Sequence, residues 1–196
     1  MDLMKKIFFV LLLVFSSSLF PQKSSKPIEV EEFVLDNGLT VMLSENNQSP
    51  NIFGVIGVKA GGKNDPKDAT GIAHYLEHVL FKGTKELGTS DYNNEKIYLD
   101  SISKLYEDLS KTNSINKRSL IQSEINRISI KASEYAIPNE IDKLLKQIGS
   151  TNINAFTNQD YTAYYNSFPP NQIEKWLELY SHRFQNPVFR LFQSEL

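Results

Sequence analysis

The chain contains no cysteine, which excludes disulfides and thiolate metal ligands and, at the N-terminus, a lipid-modified cysteine. It has no excess of positive charge, with a formal net charge of −2, so no basic surface points to nucleic acid. Internal repeats and low-complexity tracts are absent. The longest apolar run, residues 7–15, is far short of the roughly 20 residues that span a bilayer and predicts no stable membrane anchor. Histidine is scarce. Only three occur in 196 residues, and two of them stand four positions apart.

The short apolar run follows Lys5 and Lys6 and gives way to Ser16, Ser17 and Ser18. A positive start, a short hydrophobic stretch and a small-residue exit make a signal peptide of residues 1–22. It implies an exported protein, periplasmic or secreted. Residues 23–32 read as a polar linker. The remainder, residues 33–196, has the apolar content and the aromatic residues to bury one core.

Residues 71–84 read Gly-Ile-Ala-His-Tyr-Leu-Glu-His-Val-Leu-Phe-Lys-Gly-Thr. On a helix turning about 100° per residue, His74 and His78 share one face, with Glu77 beside them. Ile72, Leu76, Val79 and Leu80 form an apolar stripe opposite, expected to face the core. Two imidazoles and a carboxylate on the exposed face of an anchored helix can hold Zn²⁺ and activate water. The order H-x-x-E-H reverses the zincin motif. A histidine pair at this spacing also occurs on ordinary surface helices.

Around this stretch the pattern alternates between strand and helix. Residues 33–43 read as two strands joined at Asn37-Gly38, a strong hairpin signal. Residues 52–59 form a β-branched strand ending at Gly61-Gly62, and Gly83 is placed to cap the motif helix. In residues 91–149, Leu99, Ile102, Leu105 and Leu109, then Leu120, Ile121, Ile125 and Ile128, recur at helical spacing on either side of residues 111–114. This predicts an inserted helical segment built on a self-packing αα-hairpin, with a third helix over residues 139–148. Strands follow at residues 153–157 and 161–165. A helix then places Ile173, Trp176, Leu177 and Tyr180 on one face until Pro187, and a further helix starts near Arg190. The fold class is α+β: a largely antiparallel sheet with helices packed on one face, plus the inserted segment.

Four stretches in this order resemble the pitrilysin/insulinase family of zinc metallopeptidases, the inverzincins. They are residues 35–41 (Leu-Asp-Asn-Gly-Leu-Thr-Val), His74 to His78 with Phe81-Lys-Gly-Thr84, Asn154-Ala-Phe-Thr157 with residues 161–164, and residues 176–196. The resemblance implies an incomplete lobe of a clamshell peptidase that hydrolyses peptide bonds in extended peptides. His74 and His78 would be zinc ligands and Glu77 the general base. Asn154, Ala155, Phe156 and Thr157 would form the edge strand on which a peptide substrate lies. On the strand pattern alone, Asn154 and Thr157 read as the polar face of a half-buried strand.

The third ligand would be a glutamate beyond Leu196, about two turns after Glu195, leaving Glu195 as a carboxylate that supports the ligands. A missing C-terminal half, or a partner chain, would complete the clamshell. His182 reads as a surface or packing histidine. A non-catalytic peptide-binding or scaffold protein of the same fold is the alternative function, and a helical interaction module built on residues 91–149 is a third.

Overall fold

The computed structural model describes residues 28–191. The signal peptide, most of the linker and Glu195 lie outside them. The described chain divides into two compact units, one ending at Gln48 and the other beginning at Ser49.

The first unit is a hairpin. Strands β1 (Glu31–Val34) and β2 (Thr40–Leu43) pair antiparallel, with Phe33 opposite Val41. Asn37 closes the turn by accepting from the Leu39 amide at 3.0 Å. Gly38 sits at φ +83°, a conformation glycine adopts without steric cost. Glu31 and Glu32 belong to β1, so the linker ends two residues earlier than expected.

The second unit is built on three antiparallel strands, β3 (Ile52–Val58), β4 (Thr151–Thr157) and β5 (Thr162–Phe168), in the order β3-β5-β4. β5 is central and largely buried. β4 is an edge, and no other described strand pairs with its outer side. Five helices complete the unit: α1 (Ile72–Val79), α2 (Tyr92–Ser110), α3 (Ile115–Ser133), α4 (Glu140–Gln147) and α5 (Ile173–Gln185).

One face of the sheet carries the core. Tyr164 and Phe168 of β5 pack there with Leu80 at the end of α1, Ile141 and Leu145 of α4, and Trp176 and Tyr180 of α5. On the other face Phe53, Val55 and Phe156 are exposed. This is the expected α+β arrangement with helices on one side. β5 also buries Asn166, whose Oδ1 accepts from Trp176 Nε1 at 2.8 Å and Tyr180 Oη at 2.9 Å. The amide is fully sheltered but paired, as burial of a polar group requires.

Helices α2 and α3 form the expected αα-hairpin around Ile102, Leu109, Ile125 and Ala132. Leu120, assigned to that seam from its spacing, is exposed instead. The seam follows Ile121, Ile125, Ile128 and Ala132, one residue round the helix.

Four further expectations are corrected. In α1, Val79 and Leu80 are buried, but Ile72 and Leu76 are 48% and 42% exposed, while Glu77 is buried at 7%. The helix packs on β4 and β5, and the surface over those strands is covered whatever its polarity, provided a polar group finds a partner. In α5, Trp176 and Tyr180 are buried as expected, Ile173 and Leu177 are exposed, and Arg183 takes their place in the core.

Gly83 does not cap α1, which ends at Val79. It has φ +118°, and a Cβ there would lie 2.2 Å from the Leu87 carbonyl oxygen and 2.5 Å from Arg190 Nη1. Its hydrogen side chain is what lets that guanidinium approach. Finally, residues 188–191 are not helical. Arg190 is instead extended into the interior, and the rest of the expected last helix lies outside the described residues.

Candidate metal centre

The motif helix is held at both ends. At its start, Gly71 adopts φ +90°, and the Asp65 carboxylate accepts from the Gly71 amide at 2.7 Å and the Ala73 amide at 2.9 Å. A carboxylate there satisfies orphan donors and opposes the positive end of the helix dipole. Beyond its other end, Arg183 Nε donates to the Leu80 carbonyl at 3.0 Å. No motif links Asp65 to the helix in sequence. Arg183 does carry a sequence signal, because it lies seven residues after Trp176 and three after Tyr180, on the apolar face of α5.

The segment after the helix is fixed by Arg190. Its guanidinium is 1% exposed and makes five hydrogen bonds, to both Glu95 oxygens (2.8 and 3.1 Å) and to the carbonyls of Lys82, Leu87 and Thr84. All five donors of the side chain are thereby used. The node ties Phe81-Lys-Gly-Thr84 to the start of α2 and to the chain after Pro187.

Between these anchors, His74 and His78 are exposed and their Nε2 atoms stand 3.1 Å apart. Two imidazole nitrogens on one tetrahedral zinc, at about 2.0–2.1 Å each, would be about 3.3 Å apart. The pair therefore presents two donors at the spacing a metal needs. Among the described residues no third His, Cys, Asp or Glu joins them. The donor set fits two positions of a zinc site.

Glu77 is buried where the two imidazoles are exposed. Its Oε2 accepts from Thr157 Oγ1 at 2.6 Å. Thr162, the neighbour of Thr157 on β5, donates to the Ala60 carbonyl at 2.9 Å and lies 3.2 Å from Thr157 Oγ1, whose proton goes to the nearer acceptor, Glu77. Of the four edge-strand residues, Thr157 and Ala155 face the helix layer. Asn154 and Phe156 lie on the opposite, exposed face, where Asn154 Nδ2 meets Tyr165 Oη at 3.3 Å and the Phe156 ring packs against Tyr161 and Tyr165. A cleft of about 430 Å³ adjoins Glu77 and His78 and is bounded by Phe81, Asn154, Ala155 and, from α4, Asn139 and Asp142. His182 is not in it. Its Nδ1 faces Glu86 Oε2 at 3.7 Å.

Residues 40–97 and 125–195 match the model of the insulinase family (Peptidase family M16). The chain belongs to that family. The two matched stretches hold the motif helix, the edge strand and α5, and they flank residues 98–124 of the αα-hairpin. Among relatives of the insulinase family, Protease 3 of Escherichia coli is 37% identical over 57 residues, covering 29% of this chain and 6% of that protein. The mitochondrial-processing peptidase subunit beta of Blastocladiella emersonii is 34% identical over 71 residues (36% and 15%). The insulin-degrading enzyme of Drosophila melanogaster is 35% identical over 69 residues (35% and 6%).

The fold is shared with a protease from Helicobacter pylori, at TM-score 0.55 and 23% identity over 86% of this chain and 29% of that one. Pitrilysin has TM-score 0.51 and 18% identity over 86% and 13%. The matches thus span only a small share of every one of these relatives.

Proposed function

We propose that this chain carries the ligand pair and general base of an exported zinc endopeptidase that hydrolyses peptide bonds in extended peptides. The observation that supports this reading best is the pairing of His74 and His78 Nε2 at 3.1 Å with a separately held carboxylate, Glu77, on the same helix. His74 and His78 would hold the metal. Two imidazoles are one protein ligand short of a typical catalytic zinc site, and the third is assigned to a carboxylate downstream of Leu196. A zinc ion held there supplies Lewis acidity, polarising the scissile carbonyl and lowering the pKa of water toward about 7.

The residues of this chain do the rest. Thr157 donates to Glu77 Oε2 and so leaves Oε1 to accept a proton from the attacking water. Glu77 returns that proton to the amine nitrogen as the C–N bond breaks. A peptide added beside the free edge of β4 would be held by backbone hydrogen bonds, which tolerate many sequences. The cleft beside Glu77 would receive a side chain. The second half of a clamshell, in the same chain or a partner, would enclose the substrate.

The test is Glu77→Gln in the complete protein. Peptidase activity is expected to fall by at least about 10³-fold while one zinc per chain is retained, consistent with loss of a general base. Activity near wild type in that variant would sink the mechanism. Unchanged zinc stoichiometry in a His74→Ala, His78→Ala double variant would show that the site lies elsewhere.

A further inference from the structure

The cleft beside Glu77 and His78 is bordered by the start of α4, and this border is built against local habit. Asn139, the residue before α4, stands at φ +58°. An asparagine in that place ordinarily takes an extended backbone and spends its side chain on an amide of the first turn. Asn139 is left-handed instead, and its side chain caps nothing. Departures of this kind from local preference collect at functional sites.

Asp142, one turn on, borders the same cleft. Its Oδ2 pairs with Lys146 at 2.7 Å, and Oδ1 meets no donor among the described residues. The lysine is 65% exposed and the aspartate 32%. A solvent-facing pair at i, i+4 on a helix is weak, so the carboxylate stays open to a second cation arriving through the cleft. Phe81 and Ala155 supply apolar surface to the same space, and Lys82 borders it with its carbonyl held by Arg190.

A peptide paired with the free edge of β4 sends alternate side chains to each face of the sheet. Those on the side of Ala155 and Thr157 turn toward the helix layer, where the cleft opens. Lysine and arginine are the side chains that match its walls. Their methylene stems pack on apolar surface while the charged end, which only donates, seeks acceptors. Phe81 and Ala155 serve the stem, and Asp142 Oδ1 and the Asn139 side chain serve the head.

We propose that Asp142, with Asn139 beside it, makes this cleft selective for a basic side chain of the substrate. The substrate class is an extended peptide with lysine or arginine at one helix-facing position near the cleaved bond. This selectivity rests on the peptidase reading above and adds to it a side-chain preference that backbone pairing does not give.

The experiment measures kcat/KM in the complete protein on quenched fluorescent peptides. They differ only in carrying Arg, Leu or Glu, placed in turn at each position around the cleaved bond. At one helix-facing position Arg is expected to exceed Leu by about fivefold or more, with Glu the poorest. Asp142→Asn brings Arg and Leu within about twofold of each other, and Asp142→Lys makes Glu better than Arg. Asn139→Gly keeps the left-handed backbone and lowers the Arg advantage. An unchanged advantage in that variant overturns the part given to Asn139.

A purely structural role for Asp142 at the start of α4 would lower kcat/KM for all three peptides by one factor. Unchanged ratios in Asp142→Asn therefore overturn the proposal. Equal rates for Arg and Leu at every position in the wild type overturn it too, and that result needs no variant to fold. A wild-type protein that hydrolyses none of the peptides overturns the peptidase reading itself. Fluorescence anisotropy of the same peptides then decides the cleft: tighter binding of the Arg peptide, lost in Asp142→Asn, sustains the preference, and equal binding of Arg and Glu peptides overturns it.

Discussion

Thr157 donates a 2.6 Å hydrogen bond to Glu77 across 80 residues of sequence. It joins the last residue of the edge strand to the carboxylate of the motif helix. Thr157→Val keeps the shape and removes the donor. A hydrogen bond to a charged group is worth about 1.5–3 kcal/mol. The expected outcome is a fall in kcat of about tenfold or more, with zinc stoichiometry unchanged, read by turnover and metal analysis. Full activity in Thr157→Val would show that Glu77 needs no such support.

Glu95 and Arg190 form a buried pair with both side chains 1% exposed. Removing one partner leaves an uncompensated interior charge, so Glu95→Ala should cost about 3–5 kcal/mol. Replacing both with apolar residues of similar volume, as in Glu95→Leu with Arg190→Met, should recover much of that loss. Chemical denaturation of the single and double variants measures the difference. A double variant as unstable as the single would mean that the pair's backbone bonds, rather than its charges, hold the segment after α1.

Gly54 lies in β3 under the aromatic core. A Cβ built there would be 2.6 Å from Trp176 Cζ2 and 2.9 Å from Phe168 Cε1. Gly54→Val therefore overpacks the stack of Phe168 on Trp176, whose ring centroids are 5.0 Å apart. Destabilisation of about 1–3 kcal/mol is expected, visible as a lower midpoint in thermal unfolding. Gly57 is the control: a Cβ there would meet nothing within 4 Å, and the position should tolerate alanine.

Tyr164 has its pKa raised from 10.0 to about 12, first by burial, with the nearby Arg183 charge lowering it and that of Glu77 raising it. The unfolded chain thus releases this proton about two pH units before the folded one. Its contribution to stability is full below about pH 10 and is lost as pH rises from about 10 to 12, by up to about 2–3 kcal/mol. Tyr164→Phe should flatten that part of the stability profile, measured by denaturation at pH 9 to 12. An unchanged slope would assign the alkaline loss to other groups.

Much of the architecture is legible in the sequence. The Asn37-Gly38 turn, the strands around it, and the helices on either side of residues 111–114 follow from local chemistry and periodicity, which a segment carries wherever it is placed. The ligand pair is legible for the same reason, since four residues along a helix bring two side chains together regardless of surroundings. The αα-hairpin seam departs from its periodicity by one residue, at Leu120, because adjacent apolar residues offer two stripes that a partner helix must choose between.

The long-range polar contacts are not legible in this way. Asp65 on the helix start and Arg190 among the carbonyls after α1 are ordinary charged residues in sequence, and their roles arise from partners up to 108 positions away; the place of Arg183 on the apolar face of α5 is legible, but its bond to the Leu80 carbonyl is not. Glu77 belongs with them. The sequence by itself determined that His74, Glu77 and His78 share one short helix, because the spacing of side chains on a helix is a local property. Only the tertiary structure decided that Glu77 turns inward to Thr157 while the imidazoles face out. That choice depends on which strand lies behind the helix, and spacing carries no information about it.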